Sequence, residues 1–190
     1  LKELVSGKSP RVPSAHHRAL VSGLEGVELT EDNRPLLVGE RTNVLGSRRF
    51  KRLIREGQFE SAAEIGRAQV KNGAQIVDIC LQDPDRDEGE DMSQLLSELV
   101  KRVKAPLMID TTDAEVMELA LTYCQGKSIL NSINLEDGLK RFEEVMPLAR
   151  RYGAAVVVGT IDEAGMGVTV ERKLKIAERS FQLLTQDYDL

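Results

Sequence analysis

Short apolar runs alternate with longer amphipathic segments from about residue 34 onwards. Each run is too continuous for a strand with one face in water, so it predicts a strand buried on both faces. The segments between them space apolar residues three or four apart, which predicts helices. The runs are LLVGERTN, AQIVDICL, APLMIDTT, SILNSINL and AAVVVGTID, and the helices that follow are predicted near residues 47–72, 88–103, 113–124, 136–151 and 169–186.

This alternation predicts five consecutive βα units, and therefore an α/β protein with a parallel sheet. A doubly wound sheet usually begins with a GxGxxG turn, which is absent here, so we favour a TIM-type (β/α)8 barrel. A complete barrel of this kind takes eight units and about 250 residues, so the 190 residues would supply about the first five units. Residues 1–35 have three prolines and weak periodicity, so the segment before Arg34 is predicted to be an irregular linker.

Two helix starts carry local signals. Asp113 stands directly before an apolar stripe and is the expected N-cap of the third helix. Thr169 is the expected N-cap of the last helix, although Arg172 occupies the position where a capping box would have Glu.

Composition narrows the class of protein. A net charge of -5 and 4% aromatic residues disfavour nucleic-acid binding. There is no run of eighteen apolar residues and no apolar signal-peptide core at the start, so we expect a cytoplasmic protein that does not contact a membrane. Cys80 and Cys124 lack metal or disulfide spacing and are expected to be buried thiols. The first residue is Leu, which suggests a piece of a longer chain.

Polar side chains occur where each predicted strand ends. The carboxyl ends of parallel strands share one face, where active sites of βα barrels are built. For Asp83, Asp85 and Asp113 we prefer ordinary turn or N-cap roles. The full set is Glu40, Arg41, Asn43, Asp78, Gln82, Asp83, Asp110, Thr111, Asn131, Asn134, Asp162 and Glu163.

Asp110 and Asn131 differ from the others because they lie inside the apolar runs LMID and SILN. A buried carboxylate is costly unless a polar partner meets it. A carboxylate beside an amide matches a flat heterocycle with paired N–H donors and ring acceptors, such as a pterin. An ion pair between Asp110 and Arg41 is an alternative, and the two interpretations are compatible.

Other candidates are weaker. His16 and His17 are adjacent within the linker, so a metal role is disfavoured. The acidic segment DPDRDEGED lacks the ligand order of a calcium loop and is expected to be a solvated loop whose acids favour the N-terminus of the next helix. GTIDEAGMG fits either a mobile loop over a ligand or an ordinary turn. No Ser/His/Asp or Cys/His set can be assembled, so the sequence predicts no metal site and identifies no catalytic residue.

Four motifs resemble the folate-binding domain of cobalamin-dependent methionine synthase and, more distantly, the pterin-binding barrels of corrinoid methyltransferases and dihydropteroate synthase. The motifs are RPLLVGERTNVLGSRRF, PLMIDTTD, GKSILNSINLEDG and RRYGAAVVVGTIDEAGM. By this resemblance residues 34–190 are the N-terminal portion of a pterin-binding barrel. Residues 1–33 resemble the interdomain linker that follows the homocysteine-binding barrel.

The resemblance implies that 5-methyltetrahydrofolate binds at the rim and that its N5 methyl group passes to cob(I)alamin carried on another domain. It carries the pterin contacts over to Arg41, Thr42, Asn43, Asp110 and Asn131, and less firmly to Glu40. Cobalamin, zinc and the homocysteine-binding domain are implied only for other parts of a full-length chain. Many relatives have Asn in place of Cys80, and two further family residues have no counterpart in these 190 residues.

Two alternatives to this methyltransferase remain open. The first is an enzyme of the dihydropteroate synthase type, which would need pyrophosphate recognition that this segment does not display. The second is a non-catalytic scaffold that docks between domains, since an incomplete barrel presents sheet edges that must be covered.

Overall fold

A computed structural model describes residues 6–9 and 18–190; His16 and His17 lie outside them. The strands are β1 (Leu20–Ser22), β2 (Gly26–Glu28), β3 (Val38–Gly39), β4 (Ile76–Ile79), β5 (Leu107–Asp110), β6 (Ile129–Ile133), β7 (Ala155–Val158), β8 (Ile161–Asp162) and β9 (Gly165–Met166). The helices are α1 (Arg48–Arg55), α2 (Phe59–Lys71), α3 (Glu88–Leu99), α4 (Ala114–Tyr123), α5 (Lys140–Tyr152) and α6 (Val170–Gln182), followed by a π-helical turn (Leu183–Asp187).

Strands β3 to β7 form one parallel sheet in sequence order. A helix or helix pair connects each strand to the next, which is the arrangement predicted for consecutive βα units. The helices cover one face of the sheet, and the core between them contains fully buried residues from both layers. Phe50, Ile79, Leu96, Ile109 and Phe142 are among these core residues.

The other face of the sheet is less covered. In β5 the side chains alternate between buried and half-buried, and β7 has no fully buried residue. The apolar runs in the sequence predicted strands buried on both faces. Of β4, β5 and β7, only β4 is buried at every residue. The reason is that five strands form only part of a barrel wall, so the sheet does not close and its concave face stays partly open.

A short antiparallel hairpin precedes the sheet, and it was not predicted from the sequence. Leu20 pairs with Glu28 and Ser22 with Gly26. Two backbone hydrogen bonds attach the hairpin near the N-terminal ends of β5 and β6. Ser22 N–H donates to the Lys127 carbonyl at 2.9 Å, and Glu25 N–H donates to the Lys104 carbonyl at 3.2 Å. Three-residue strands are too short to show a hydrophobic period.

The single helix predicted over residues 47–72 is wrong: two helices, α1 and α2, fill this segment. Gly57 has φ +68°, a left-handed conformation that glycine adopts without steric cost. Gly57 N–H then donates to the Ile54 carbonyl and Gln58 N–H to the Leu53 carbonyl, which ends α1.

Three other boundaries differ from the prediction. Helix α3 ends at Leu99, earlier than residue 103, and α5 begins at Lys140 because residues 134–138 form a turn in which Gly138 has φ +66°. The run AAVVVGTID is not one strand: β7 stops at Val158, and Ile161–Asp162 pairs instead with Gly165–Met166 as a second hairpin.

The two predicted N-caps are confirmed. The Asp113 carboxylate accepts from Glu115 N–H at 2.8 Å and from Val116 N–H at 3.3 Å, and the Thr169 hydroxyl accepts from Arg172 N–H at 3.3 Å. Over the described ranges, no helix is long and apolar enough to cross a membrane.

Candidate ligand-binding site

The carboxyl ends of four neighbouring strands bring polar residues side by side. Asp110 pairs in register with Asn131, and Cys80 forms a parallel bridge with Asn43. Ile79 pairs with Ile109, so Cys80 is next to Asp110 across the sheet. Neighbouring strands lie about 4.8 Å apart. We call these four residues, Asn43, Cys80, Asp110 and Asn131, the strand-end row. The row is narrow enough for one planar ligand to contact several of its members.

An open cleft of about 310 Å³ lies beside Asp110 and Asn131. It covers the ends of β5 and β6 and the first turn of α5, and four of its lining residues are carboxylates. The lining residues are Asp110, Thr111, Thr112, Asn131, Ser132, Asn134, Glu136, Asp137, Lys140, Arg141 and Glu144. This lining favours a ligand that presents N–H donors over an anionic one.

Asp78 is the most unusual polar residue near this row. It is 1% exposed, and neither carboxylate oxygen has a hydrogen-bond partner within the described part of the chain. Burial and the nearby charges of Asp110 and Glu40 raise the pKa of Asp78 to about 7, while the Asn43 side chain lowers it. A buried carboxylate without partners is costly, and protonation or a donating ligand relieves that cost.

The two groups beside Asp78 are also perturbed. Burial raises the pKa of Asp110, the charge of Glu40 raises it further, and a hydrogen bond from the Cys80 thiol lowers it. Burial is the main reason that the pKa of Cys80 rises to about 11. Cys80 is 1% exposed, as expected for a buried thiol, and it is protonated at neutral pH, so it acts as a donor toward Asp110.

The three candidate residues after β3 lie in different environments. Arg41 is exposed, and its backbone N–H donates to the side-chain oxygen of Gln69. Thr42 is fully buried; its hydroxyl donates to the Asp78 carbonyl and accepts from the Gln69 amide, so it has no free group for a ligand. The Asn43 side-chain oxygen accepts from the backbone N–H groups of Leu45 at 2.8 Å and Gly46 at 3.0 Å.

The alternative ion pair between Asp110 and Arg41 is not formed among residues 18–190. The acids after β7 do have partners: Arg172 donates to Asp162 at 2.6 Å, and Arg179 forms a two-point pair with Glu163. These arginines lower the pKa of Asp162 and bring that of Glu163 to about 2. The GTIDEAGMG segment therefore forms a hairpin that ion pairs attach to α6.

The acidic segment after β4 is the predicted solvated loop only in part: Asp85 is exposed and Asp87 caps α3, whereas Asp83 and Asp91 are buried. Asp83 is 5% exposed and forms ion pairs with Lys51 at 3.2 Å and Arg55 at 3.0 Å. Asp91 is 2% exposed and accepts two bonds of 2.6 Å from Arg86. These basic partners make the two acids structural, since they satisfy the buried charge.

Asp78 belongs to the predicted strand-end set, but the sequence criteria did not single it out. The signal was available, because Asp78 stands inside the apolar run IVDIC just as Asp110 stands inside LMID. The same criterion, an acid within a buried strand, would have selected both residues.

The fold and the strand-end row define an α/β barrel-type protein with a polar candidate ligand site at the carboxyl ends of its strands. Residues 39–190 match the family described as "Pterin binding enzyme", and the chain belongs to this family. Dihydropteroate synthase (FolP) from Thermus thermophilus has a similar fold, with a TM-score of 0.56 and 22% identity over 86% of this chain. The chain spans 60% of the length of that protein.

These comparisons confirm the predicted partial TIM-type barrel and the pterin-binding class of enzyme. At 22% identity, the likeness to dihydropteroate synthase establishes the fold alone.

Proposed function

We propose that the protein binds 5-methyltetrahydrofolate at the strand-end row and supports transfer of its N5 methyl group to cob(I)alamin, as the folate-binding part of a methionine synthase. Support for a pterin comes from the pairing of Asp110 with Asn131 beside an open cleft. Support for the methyltransferase comes from the four sequence motifs that resemble that enzyme. Membership in the pterin-binding family is consistent with both.

The unpartnered carboxylate of Asp78 fits this kind of ligand. A pterin carries several N–H donors on one planar edge, and a buried carboxylate with two free oxygens lacks such donors. Asp110 and Asn131 add a second acceptor and a mixed donor and acceptor closer to the strand ends, since Asp78 pairs with Met108, two residues before Asp110. In this proposal Asp110 and Asn131 orient the ring in its plane, the buried Asp78 lies behind them, and the exposed Arg41 stands at the edge of the site.

The chemistry requires little beyond orientation and a proton. The N5 atom of the substrate is a tertiary amine and leaves poorly unless it is protonated or strongly hydrogen-bonded as the methyl group departs. Cobalamin, held on another domain, supplies the nucleophile. Within this chain Asp78 has its pKa near 7, so it can hold a proton at neutral pH next to Asp110.

The test is calorimetric titration of 5-methyltetrahydrofolate into the full-length protein. We expect Asp110→Asn to weaken binding at least tenfold, about 1.4 kcal/mol, because a charge-assisted hydrogen bond becomes a neutral one. The matched control is Asp113→Asn, three residues away, where Asn preserves the N-cap. Equal affinity for wild type and Asp110→Asn would contradict the proposal.

A dihydropteroate synthase-like activity is the second candidate, and membership in the pterin-binding family is equally consistent with it. Steady-state turnover separates the two. A methyltransferase demethylates 5-methyltetrahydrofolate with cob(I)alamin, whereas a synthase joins a pterin pyrophosphate to an aminobenzoate. Turnover of the second substrate pair alone would replace the first proposal.

A further inference from the structure

Arg141, in the first turn of α5, makes an unusual set of contacts. Its guanidinium donates to three backbone carbonyls: Nη2 to Thr111 at 2.8 Å, Nη1 to Thr112 at 2.8 Å and Nε to Ser132 at 3.2 Å. The side chain is only 15% exposed, and its nearest carboxylate, Glu144, lies farther away at 3.7 Å. The charge is therefore directed at main-chain oxygens and not mainly at a counter-ion.

The three accepting residues have one feature in common, because each lies within two residues after Asp110 or Asn131. Thr111 and Thr112 come after Asp110, and Ser132 comes after Asn131. One guanidinium thus connects the two backbones at the point where β5 ends beside β6. The regular pairing of β6 with β7 is also interrupted between Leu130 and Ile133, so the ladder on that side gives Asn131 less support.

A guanidinium is suited to this task because its N–H donors are fixed in one plane. Three bonds to two strands restrain both the spacing and the relative rotation of the strand ends. An ammonium group on a flexible stem keeps the charge but does not impose that plane. The effect on a bound ring would be large, since small displacements of orienting groups strongly reduce productive binding.

We propose that Arg141 is a positioning residue, which holds Asp110 and Asn131 at the separation and orientation that the planar ligand requires. The ligand part of this proposal rests on the proposed function. The structural part does not, because it concerns the strand ends in the free protein.

The first experiment measures amide hydrogen exchange in the ligand-free, full-length protein. In Arg141→Met we expect faster exchange at residues 110–112 and 131–133, with β4 amides as the internal reference. The control is Arg150→Met, on the same helix, where the side chain is exposed and pairs with Asp189. Unchanged exchange at both segments, or a uniform increase that includes β4, would overturn the positioning role.

The second experiment is a double-mutant cycle on binding of 5-methyltetrahydrofolate. Arg141→Met should weaken binding at least tenfold in the wild-type background and less than threefold in the Asp110→Asn background. Arg141→Lys should also weaken binding, although it keeps the charge. Full affinity in Arg141→Lys, or additive losses in the cycle, would show that Arg141 does not act through Asp110.

The two arms separate this proposal from the proposed function. If the wild-type protein does not bind 5-methyltetrahydrofolate, the proposed function fails, and the exchange measurement alone decides whether Arg141 fixes the strand ends. If the wild type binds and Asp110→Asn weakens binding, but Arg141→Met binds normally, only the positioning proposal fails.

Discussion

The environment of Asp78 is better explained by a role in a ligand site than by a contribution to stability. Its carboxylate is 1% exposed, lacks partners among the described residues and is close to a second acid, Asp110. A protein selected for stability alone would pair such a group, as this chain does for Asp83 with Lys51 and Arg55. Perturbed acids of this kind concentrate at functional sites.

The raised pKa of Asp78 gives a pH-dependent prediction. The group stays protonated in the folded protein up to pH about 7, whereas in the unfolded chain its pKa returns to the ordinary value of 3.8. The folded state therefore binds more protons between these values, and the free energy of unfolding falls as pH rises from about 4 to 7. The size of the loss is on the order of 2–4 kcal/mol.

Asp78→Asn removes this titration. We expect its stability relative to wild type to increase from pH 4 to 7 and to level off above, as measured by urea denaturation across that range. Asp85→Asn is the control, since Asp85 is an exposed acid that pairs with Arg55. A difference between Asp78→Asn and wild type that does not change with pH would contradict the assignment.

For single residues, the sequence-based predictions agree best with the structure where they rest on neighbouring residues in the chain. The apolar run around Asp110 identified a strand-end acid, and the structure places it next to Asn131. Local sequence could not reveal that Arg141 binds the carbonyls after both residues, because its contact with Thr111 joins two separate βα units.

At the scale of elements, helix starts are set by side chains that satisfy the first free N–H groups. The third βα unit is the clearest case, because Asp113 accepts from two N–H groups of α4 directly after the strand that carries Asp110. This cap fixes the short connection between strand and helix.

Removing the cap tests its contribution. We expect Asp113→Ala to lower the free energy of unfolding by about 1 kcal/mol, while Asp113→Asn stays near wild type, because Asn is an equally good N-cap. Urea denaturation of the three proteins measures both effects. Equal loss in Ala and Asn would mean that the charge matters and not the hydrogen bond.

Errors in the predicted elements also have local causes. The predicted 47–72 helix divides at Gly57, and the fifth predicted strand divides before the β8–β9 hairpin. In both segments the apolar spacing continues through the break, so periodicity alone could not place it. A glycine in a left-handed conformation marks the first break.

At the scale of the whole molecule, the five-stranded sheet has open edges at β3 and β7, with no strand paired outside them within the described ranges. Apolar side chains on α6 are also exposed, including Val170 at 67%, Leu174 at 64% and Phe181 at 65%. Open edges and grouped apolar residues promote association.

We therefore expect the 190-residue polypeptide to self-associate, which light scattering coupled to size-exclusion chromatography would detect. Leu174→Lys combined with Phe181→Lys should reduce the average mass. The control adds the same two charges at other exposed positions of α6, Ala177→Lys and Gln182→Lys. A monodisperse monomer of wild-type sequence would contradict this expectation.

The sequence by itself determined the order of the βα units, the N-caps at Asp113 and Thr169, and the polar residues that end each strand, because these depend on neighbours a few residues apart. The tertiary structure decided which of those polar residues remain available. Asp83 and Asp162 are neutralised by Arg and Lys side chains from neighbouring helices, whereas Asp78 is left without a partner among the described residues. Burial and charge at a site are sums over distant elements, so only the folded chain fixes them.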